Sequence, residues 1–123
     1  MLVIRDFTDL LVWQKAYALV VKIYKLVRDL PSIEKYGLSD QLRRASVSIT
    51  SNIAEGFSRQ GMKEKIQFYY LAAGSLTEVR NQLLIVRDVG YLNTKVELEA
   101  ILDNLVEVEK MLSGLIKSSK ARI

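Results

Sequence analysis

Apolar residues recur with a helical period in four segments of the chain, and short polar connections separate the segments. In the first segment, residues 9–29, one apolar stripe starts at Val12 and a second stripe beside it contains Trp13 and Tyr17. The two stripes together cover more than half of the helix circumference, whereas an ordinary surface helix needs an apolar face of only about 100°. We therefore expect another subunit to cover the excess, with Trp13, Tyr17 and Tyr24 at the interface between copies.

The second segment, residues 39–57, is unusual because Ser, Thr and Asn are frequent in it, although they are weak helix formers. A helix of weak formers must be held by its neighbours. Polar residues at i, i+4 and i+7 spacing line one face of this helix, and two polar residues of the third helix are placed to face them. This polar network consists of Ser48, Asn52, Glu55, Ser75 and Glu78.

Two interpretations of the polar network remain open. It is either a polar site within or between bundles, or a set of interhelical hydrogen bonds that fixes the register of the helices. The second interpretation is favoured, because no nearby side chain can act as a base at neutral pH.

Gly74 lies in the middle of the third segment, residues 62–89. A glycine inside a helix costs about 1 kcal/mol relative to alanine. This cost predicts that another helix packs closely against Gly74, through residues 45–51 of the second helix. Gly74→Leu is then expected to destabilise the fold by overpacking.

Residues suited to begin or end a helix flank the predicted segments. Asp9 or Thr8 can cap the first helix and Ser39 the second. Gly90 is the expected C-terminal stop of the third helix. The Thr-x-x-Glu spacing of residues 94–97 is a capping box for the fourth.

Four long helices with short connections predict an all-α protein, an up-down-up-down antiparallel four-helix bundle. The chain of 123 residues is the size of one domain, so residues 1–123 are expected to form a single bundle. The predicted helices span roughly residues 9–29, 39–57, 62–89 and 94–117.

The absence of histidine and cysteine narrows the chemistry that the chain can perform. Disulfides, thiolate chemistry, the commonest general base and the commonest transition-metal ligand are all missing. Di-iron bundles use Glu-x-x-His motifs, and phosphate-binding loops need a glycine spacing that this chain lacks. We therefore expect no enzyme activity, no metal, no cofactor and no small-molecule substrate.

Hydropathy also bears on the compartment. No apolar run approaches the roughly 18 residues of a membrane span, and the first residues are too few and too charged for a signal peptide. The sequence predicts a cytoplasmic protein without a membrane partner.

The net charge of +4 permits a nucleic-acid partner without requiring one. Basic residues gather on the first helix and around the second and third, where they could contact phosphates without reading sequence. The competing interpretation is a solvated surface that maintains solubility, and the acidic first half of the fourth helix favours it. The candidate nucleic-acid-binding residues are Lys15, Lys22, Lys25, Arg43, Arg44, Arg59, Lys63 and Lys65.

Several of these segments resemble a bacterial family of four-helix-bundle proteins that was first found encoded in intervening sequences of 23S ribosomal RNA genes. The Ser-x-x-x-Asn-x-Ala-Glu-Gly pattern of residues 48–56 is the most specific part of the resemblance. Further similar segments are residues 9–16, 41–45, 73–78, 90–92 and 111–112.

The resemblance implies a bundle that assembles as a ring, a homopentamer, and kinship with the accessory proteins of diversity-generating retroelements, which bind nucleic acid. It supplies no established activity. Together with the residue patterns, it predicts a non-enzymatic, self-assembling scaffold whose basic surface binds RNA or DNA non-specifically. The alternative is a protein-binding adaptor with no nucleic-acid role.

Overall fold

The structure, a computed structural model, describes residues 3–92 and 95–123. Four α-helices account for most of these residues, and no strand occurs within the described ranges, which confirms the all-α prediction. The capping box predicted at residues 94–97 includes Thr94, which lies outside the described residues. The helices are α1 Leu11–Val27, α2 Leu38–Ser58, α3 Met62–Val89 and α4 Lys95–Lys120.

The four helices surround one apolar core. Each helix packs against the next one along the chain, and α1 also packs against α4. The contact between α2 and α3 is the most extensive. Side chains from all four helices are fully enclosed, among them Leu19, Ile49, Leu76 and Leu105. Their burial supplies the main stabilisation of a fold whose second helix is composed of weak helix formers.

The first helix begins later than predicted, because the residues before it form a separate turn. Phe7–Asp9 is a 3-10 turn, and α1 starts only at Leu11. The Asp9 carboxylate accepts hydrogen bonds from the backbone amides of Arg5 and Asp6, both at 3.0 Å. Asp9 therefore caps this turn and not α1, and the prediction that it caps the first helix is wrong.

The start of α2 also differs from the prediction, because a residue outside the helix caps it. The helix begins at Leu38, and Ser39 is buried within its first turn. The carboxylate of Glu34 accepts a hydrogen bond from the Leu38 amide at 3.1 Å through Oε1, and another from the Tyr91 hydroxyl at 2.6 Å through Oε2. A Cβ atom at Gly37 would lie 2.7 Å from Glu34 Oε1, so glycine leaves room for this cap.

The Glu34 cap makes stability depend on pH. Two hydrogen bonds lower the pKa of Glu34, and the bond from Tyr91 has a larger effect than the bond from the Leu38 amide. A carboxyl group whose pKa is lower in the folded state stabilises the fold above its unfolded value, about 4.3 for Glu, and loses this effect as the pH falls. The free energy of unfolding, measured in urea, should fall between pH 5 and pH 3. We expect this fall to be smaller for Tyr91→Phe than for the unmodified chain. An unchanged pH dependence would show that this hydrogen bond does not contribute.

Gly74 and Gly56 differ in how closely another helix packs against them. Gly74 is exposed, and a Cβ atom there would have no neighbour within 4 Å, so the predicted close approach of α2 is wrong. The close approach occurs at Gly56, where a Cβ atom would lie 2.6 Å from Cε1 of Tyr69. The ring of Tyr69 on α3, and not the backbone of a neighbouring helix, occupies the space that Gly56 provides.

The ends of α3 and α4 lie close to their predicted positions. Gly90 ends α3 with a φ of 80°, in the left-handed region, as predicted for a C-terminal glycine. The last helix continues to Lys120, three residues beyond the predicted end. None of the helices in the described residues is both long and apolar enough to cross a membrane.

Candidate functional site

Large apolar side chains are exposed on the side of α1 that adjoins α2. Tyr17 is 52% exposed, Tyr24 40% and Val21 37%, and these three share one face of α1. Val47 of α2 is 39% exposed and lines a shallow groove together with Tyr24. We name these four residues the tyrosine face.

Trp13 takes a different position from the two tyrosines with which it was predicted. Its ring packs against the core, meets Phe7 edge-on at 5.2 Å, and stacks on Tyr17 at 5.0 Å between ring centroids. Trp13 therefore packs between the core and Tyr17 of the tyrosine face, while the side chains of Tyr17 and Tyr24 remain exposed on the surface. Val21 and Val47 were not among the predicted interface residues, although Val21 lies four residues from Tyr17 on the same helix.

A second exposed apolar surface lies on α3. Leu71 is 56% exposed and Ile85 41%, and Gly74 lies exposed between them along the helix. We name Leu71, Gly74 and Ile85 the α3 stripe. Glu78 is also exposed and lies between Gly74 and Ile85 in sequence. Because glycine has no side chain, the α3 stripe contains a notch between two apolar residues.

Four of the eight basic candidates make close contacts within the chain. Lys15 pairs with Glu107 of α4 at 3.4 Å, and Arg44 pairs with Asp40 at 3.0 Å. The guanidinium of Arg59 pairs with Glu55 at 3.3 Å and lies over the ring of Phe68, 4.7 Å from its centroid. The Lys65 ammonium donates to the backbone carbonyl of Phe57 and lies over its ring.

The other four basic candidates have different surroundings. Lys22 and Lys25 line a groove between α1 and α4, together with Asp29 and Glu97. Arg43 lines the groove of the tyrosine face, and Lys63 is exposed in the first turn of α3. Within residues 3–92 and 95–123, none of Lys22, Lys25, Arg43 and Lys63 lies in an ion pair. The eight residues are spread over the surface and do not form one continuous basic patch.

Three members of the predicted polar network meet between α2 and α3. The hydroxyls of Ser48 and Ser75 are hydrogen bonded at 2.8 Å. The Asn52 amide donates to the Ser48 carbonyl at 2.8 Å and to its hydroxyl at 3.0 Å. The Ser75 hydroxyl also lies 3.2 Å from the Leu71 carbonyl. Each of these polar groups has a partner within the protein, which is the arrangement of a register-setting contact.

Glu55 and Glu78 have other partners. The Glu55 carboxylate pairs with Arg59 on its own helix, and Glu78 accepts a hydrogen bond from the Gln82 amide at 3.3 Å. The same Gln82 amide lies 3.4 Å from Oε1 of Gln41 on α2. The structure therefore places the five predicted residues in three separate contacts. In the part of the chain that it describes, no three His, Cys, Asp or Glu side chains lie close enough to hold a metal ion.

Comparison with known proteins identifies a family and a similar solved structure. The model of the 23S rRNA-intervening sequence protein family matches residues 8–114. The crystal structure of a protein of unknown function from the S23 ribosomal protein family of Bacteroides thetaiotaomicron is similar, with a TM-score of 0.80 and 27% sequence identity. The similarity covers 87% of this chain and 99% of that one. No curated protein matches the chain.

Proposed function

Since the chain belongs to the 23S rRNA-intervening sequence protein family, we propose that it is a non-enzymatic scaffold that assembles with copies of itself into a ring. The observation that carries this proposal is the tyrosine face. Four neighbouring large apolar side chains, each 37–52% exposed, form a surface that a second protein molecule can cover. Two of them are tyrosines, which are common at protein interfaces because they combine a large apolar ring with a polar hydroxyl.

The order of contacts along the helices supports an up-down-up-down antiparallel bundle as the building block. Gln41 of α2 meets Gln82 of α3, and Ser48, further along α2, meets Ser75, earlier on α3. The residue number thus rises on one helix as it falls on the other. Short connections between consecutive helices favour the same arrangement.

A ring requires two different surfaces on each copy, because identical surfaces that meet each other produce a closed dimer. We propose that the tyrosine face of one copy meets the α3 stripe of the next. The notch at Gly74 offers space for an aromatic ring. The exposed Glu78 beside this notch complements Arg43 in the groove of the tyrosine face.

Cross-linking between two single-cysteine variants tests this pairing, because the chain has no cysteine of its own. Val21→Cys lies in the tyrosine face and Ile85→Cys in the α3 stripe. The two variants are mixed, dissociated and allowed to reassemble together. We expect a short bismaleimide linker to join them after reassembly. Neither variant alone should cross-link efficiently. If Val21→Cys cross-links with itself as well as it does with Ile85→Cys, the two faces do not meet in the proposed way.

Non-specific nucleic-acid binding is a second proposed function, and the cations that have no ion pair within the described residues favour it. Lys22, Lys25 and Lys63 would recur in every copy of a ring, so phosphate contacts would add up around it. The kinship with accessory proteins of diversity-generating retroelements, which the resemblance implied, remains a prediction.

A salt series with labelled RNA measures this second function. We expect affinity to fall as salt rises. The combined change of Lys22, Lys25 and Lys63 to Gln should reduce the slope of log affinity against log salt by about 0.7 for each phosphate of a single strand that the variant no longer neutralises. Lys15→Gln is the matched control, because the Lys15 ammonium already pairs with Glu107. Undetectable binding at low salt would remove this function and leave the protein-binding adaptor as the alternative.

A further inference from the structure

A cavity of about 290 Å³ opens at the end of the fold where the start of α1, the end of α2, the start of α3 and the end of α4 come together. Leu10, Phe57, Met62 and Leu115 contribute apolar surface to it. Its volume is near the lower limit for small-molecule sites in proteins. The cavity lies apart from both the tyrosine face and the α3 stripe, with which it shares no residue.

The hydroxyl of Tyr69 is the unusual feature of this cavity. Tyr69 is only 3% exposed, and its hydroxyl has no hydrogen-bond partner within the described residues. Among the described residues, Oε1 of Gln82 is the one fully enclosed side-chain polar atom that lacks a hydrogen-bond partner. The unpartnered hydroxyl of Tyr69 is therefore not fully enclosed, and it still reaches open space. Tyr69 lines the cavity, which supplies that space. Buried hydroxyls normally have partners, so this one is placed to bind something within the cavity.

The Tyr69 hydroxyl is a hydrogen-bond donor at neutral pH. Burial raises its pKa, so the proton stays on the oxygen. The ring cannot turn away easily, because its edge lies against Gly56, where even a Cβ atom would be only 2.6 Å from Cε1. The closely packed glycine of α2 thereby fixes the direction of a donor on α3.

The remaining polar groups of the cavity favour an anion. Lys65 and Arg122 line it, together with the buried Ser119, whereas no carboxylate of the described residues does. The bond from the Lys65 ammonium to the Phe57 carbonyl uses one of its three N–H donors and holds it near the cavity. Two cations, the hydroxyls of Tyr69, Ser118 and Ser119, and apolar walls together present a surface that is complementary to a negatively charged group on an apolar body.

We propose that this cavity binds a small organic anion with an apolar body, of the class of short- and medium-chain carboxylates. The carboxylate accepts hydrogen bonds from Tyr69 and from the cations Lys65 and Arg122. The hydrocarbon chain lies against Leu10 and Leu115. This site does not depend on assembly or on nucleic-acid binding, so its failure would leave the scaffold proposal intact.

Calorimetric titration with octanoate tests the proposal, with acetate and octanol as separate probes. Acetate has the charge without the apolar chain, and octanol has the chain without the charge. We expect octanoate to bind at least about tenfold more tightly than either. Octanol loses the hydrogen bonds to charged groups, and acetate loses the burial of the hydrocarbon chain. Octanol binding as tight as that of octanoate would overturn the anionic specificity, and no octanoate binding would overturn the site.

Single-residue variants locate the site. Tyr69→Phe keeps the ring and removes the hydroxyl, and we expect octanoate to bind about tenfold more weakly. Tyr70→Phe is the matched control, because Tyr70 is 48% exposed and does not line the cavity. Arg122→Gln changes an exposed residue after the end of α4, so it tests the same site if Tyr69→Phe fails to fold. Octanoate binding that a folded Tyr69→Phe and Arg122→Gln both leave unchanged would overturn the proposal.

Discussion

Replacement of Gly56 by alanine should destabilise the fold by about 1–3 kcal/mol, although alanine is the better helix former. The added Cβ atom would lie 2.6 Å and 2.9 Å from two ring carbons of Tyr69, and 3.0 Å from Cβ of Phe68. Tyr69 is 3% exposed and belongs to the apolar core, so a shift of its ring away from the new Cβ atom would disturb the side chains packed against it. This overpacking outweighs the gain of about 1 kcal/mol in helix propensity.

Gly114→Ala is the matched control for this prediction. Gly114 lies in the interior of α4, and a Cβ atom there would have no neighbour within 4 Å. The same substitution should therefore stabilise the fold by up to about 1 kcal/mol. Equilibrium unfolding in urea, followed by circular dichroism, measures both changes. If Gly56→Ala unfolds at the same urea concentration as Gly114→Ala, the close contact between Gly56 and Tyr69 does not constrain the fold.

The second large effect concerns assembly. Tyr17→Glu and Tyr24→Glu should each convert the assembled protein into single copies, because the substitution places an unpaired carboxylate where the next copy packs. Desolvation of such a charge costs several kcal/mol, and each 1.4 kcal/mol weakens association tenfold. The helical content should not change, because Tyr17 is 52% and Tyr24 40% exposed within one copy.

Tyr36→Glu is the control for the assembly variants. Tyr36 is 86% exposed in the connection before α2 and neither belongs to the tyrosine face nor lines its groove, so the same change of residue should leave assembly intact. Size-exclusion chromatography with light scattering measures the mass of each variant. Equal masses for Tyr24→Glu and Tyr36→Glu would indicate that the tyrosine face is not an interface.

The sequence was sufficient for the helices, because their apolar period is long and regular. It misplaced the starts of α1 and α2 for a physical reason. Capping depends on which side chain reaches the free amides, and Glu34 reaches the Leu38 amide from four residues earlier while it also holds Tyr91 from beyond α3. The Tyr91 contact joins residues that are far apart in the sequence, so local patterns do not indicate it.

The roles of the glycines illustrate a different limit. Both Gly56 and Gly74 lie in segments of small residues, and composition alone does not distinguish them. Their helical faces do, because Gly56 lies three residues after the enclosed Ile53, whereas Gly74 lies three residues after the exposed Leu71. The sequence does not show which side chain fills the space beside Gly56, because that depends on how the helices pack against each other.

The sequence predicted only part of the candidate polar network, and the reason is similar. Ser48 and Ser75 have short side chains, so their hydroxyls can meet only across the interface between α2 and α3. Glu55 has a longer side chain, and it turns to Arg59 four residues further along its own helix. Such i, i+4 partners are available locally, so the sequence period shows which face a residue occupies but not which partner it takes.

Sedimentation equilibrium of the unmodified chain over a range of concentrations tests most directly whether other copies cover the exposed apolar surface of α1. We expect a species whose mass is a whole multiple, greater than one, of the 14.0 kDa chain and which persists at micromolar concentration. A single species of 14.0 kDa at every concentration would contradict it, because Tyr17 and Tyr24 would then remain exposed to water.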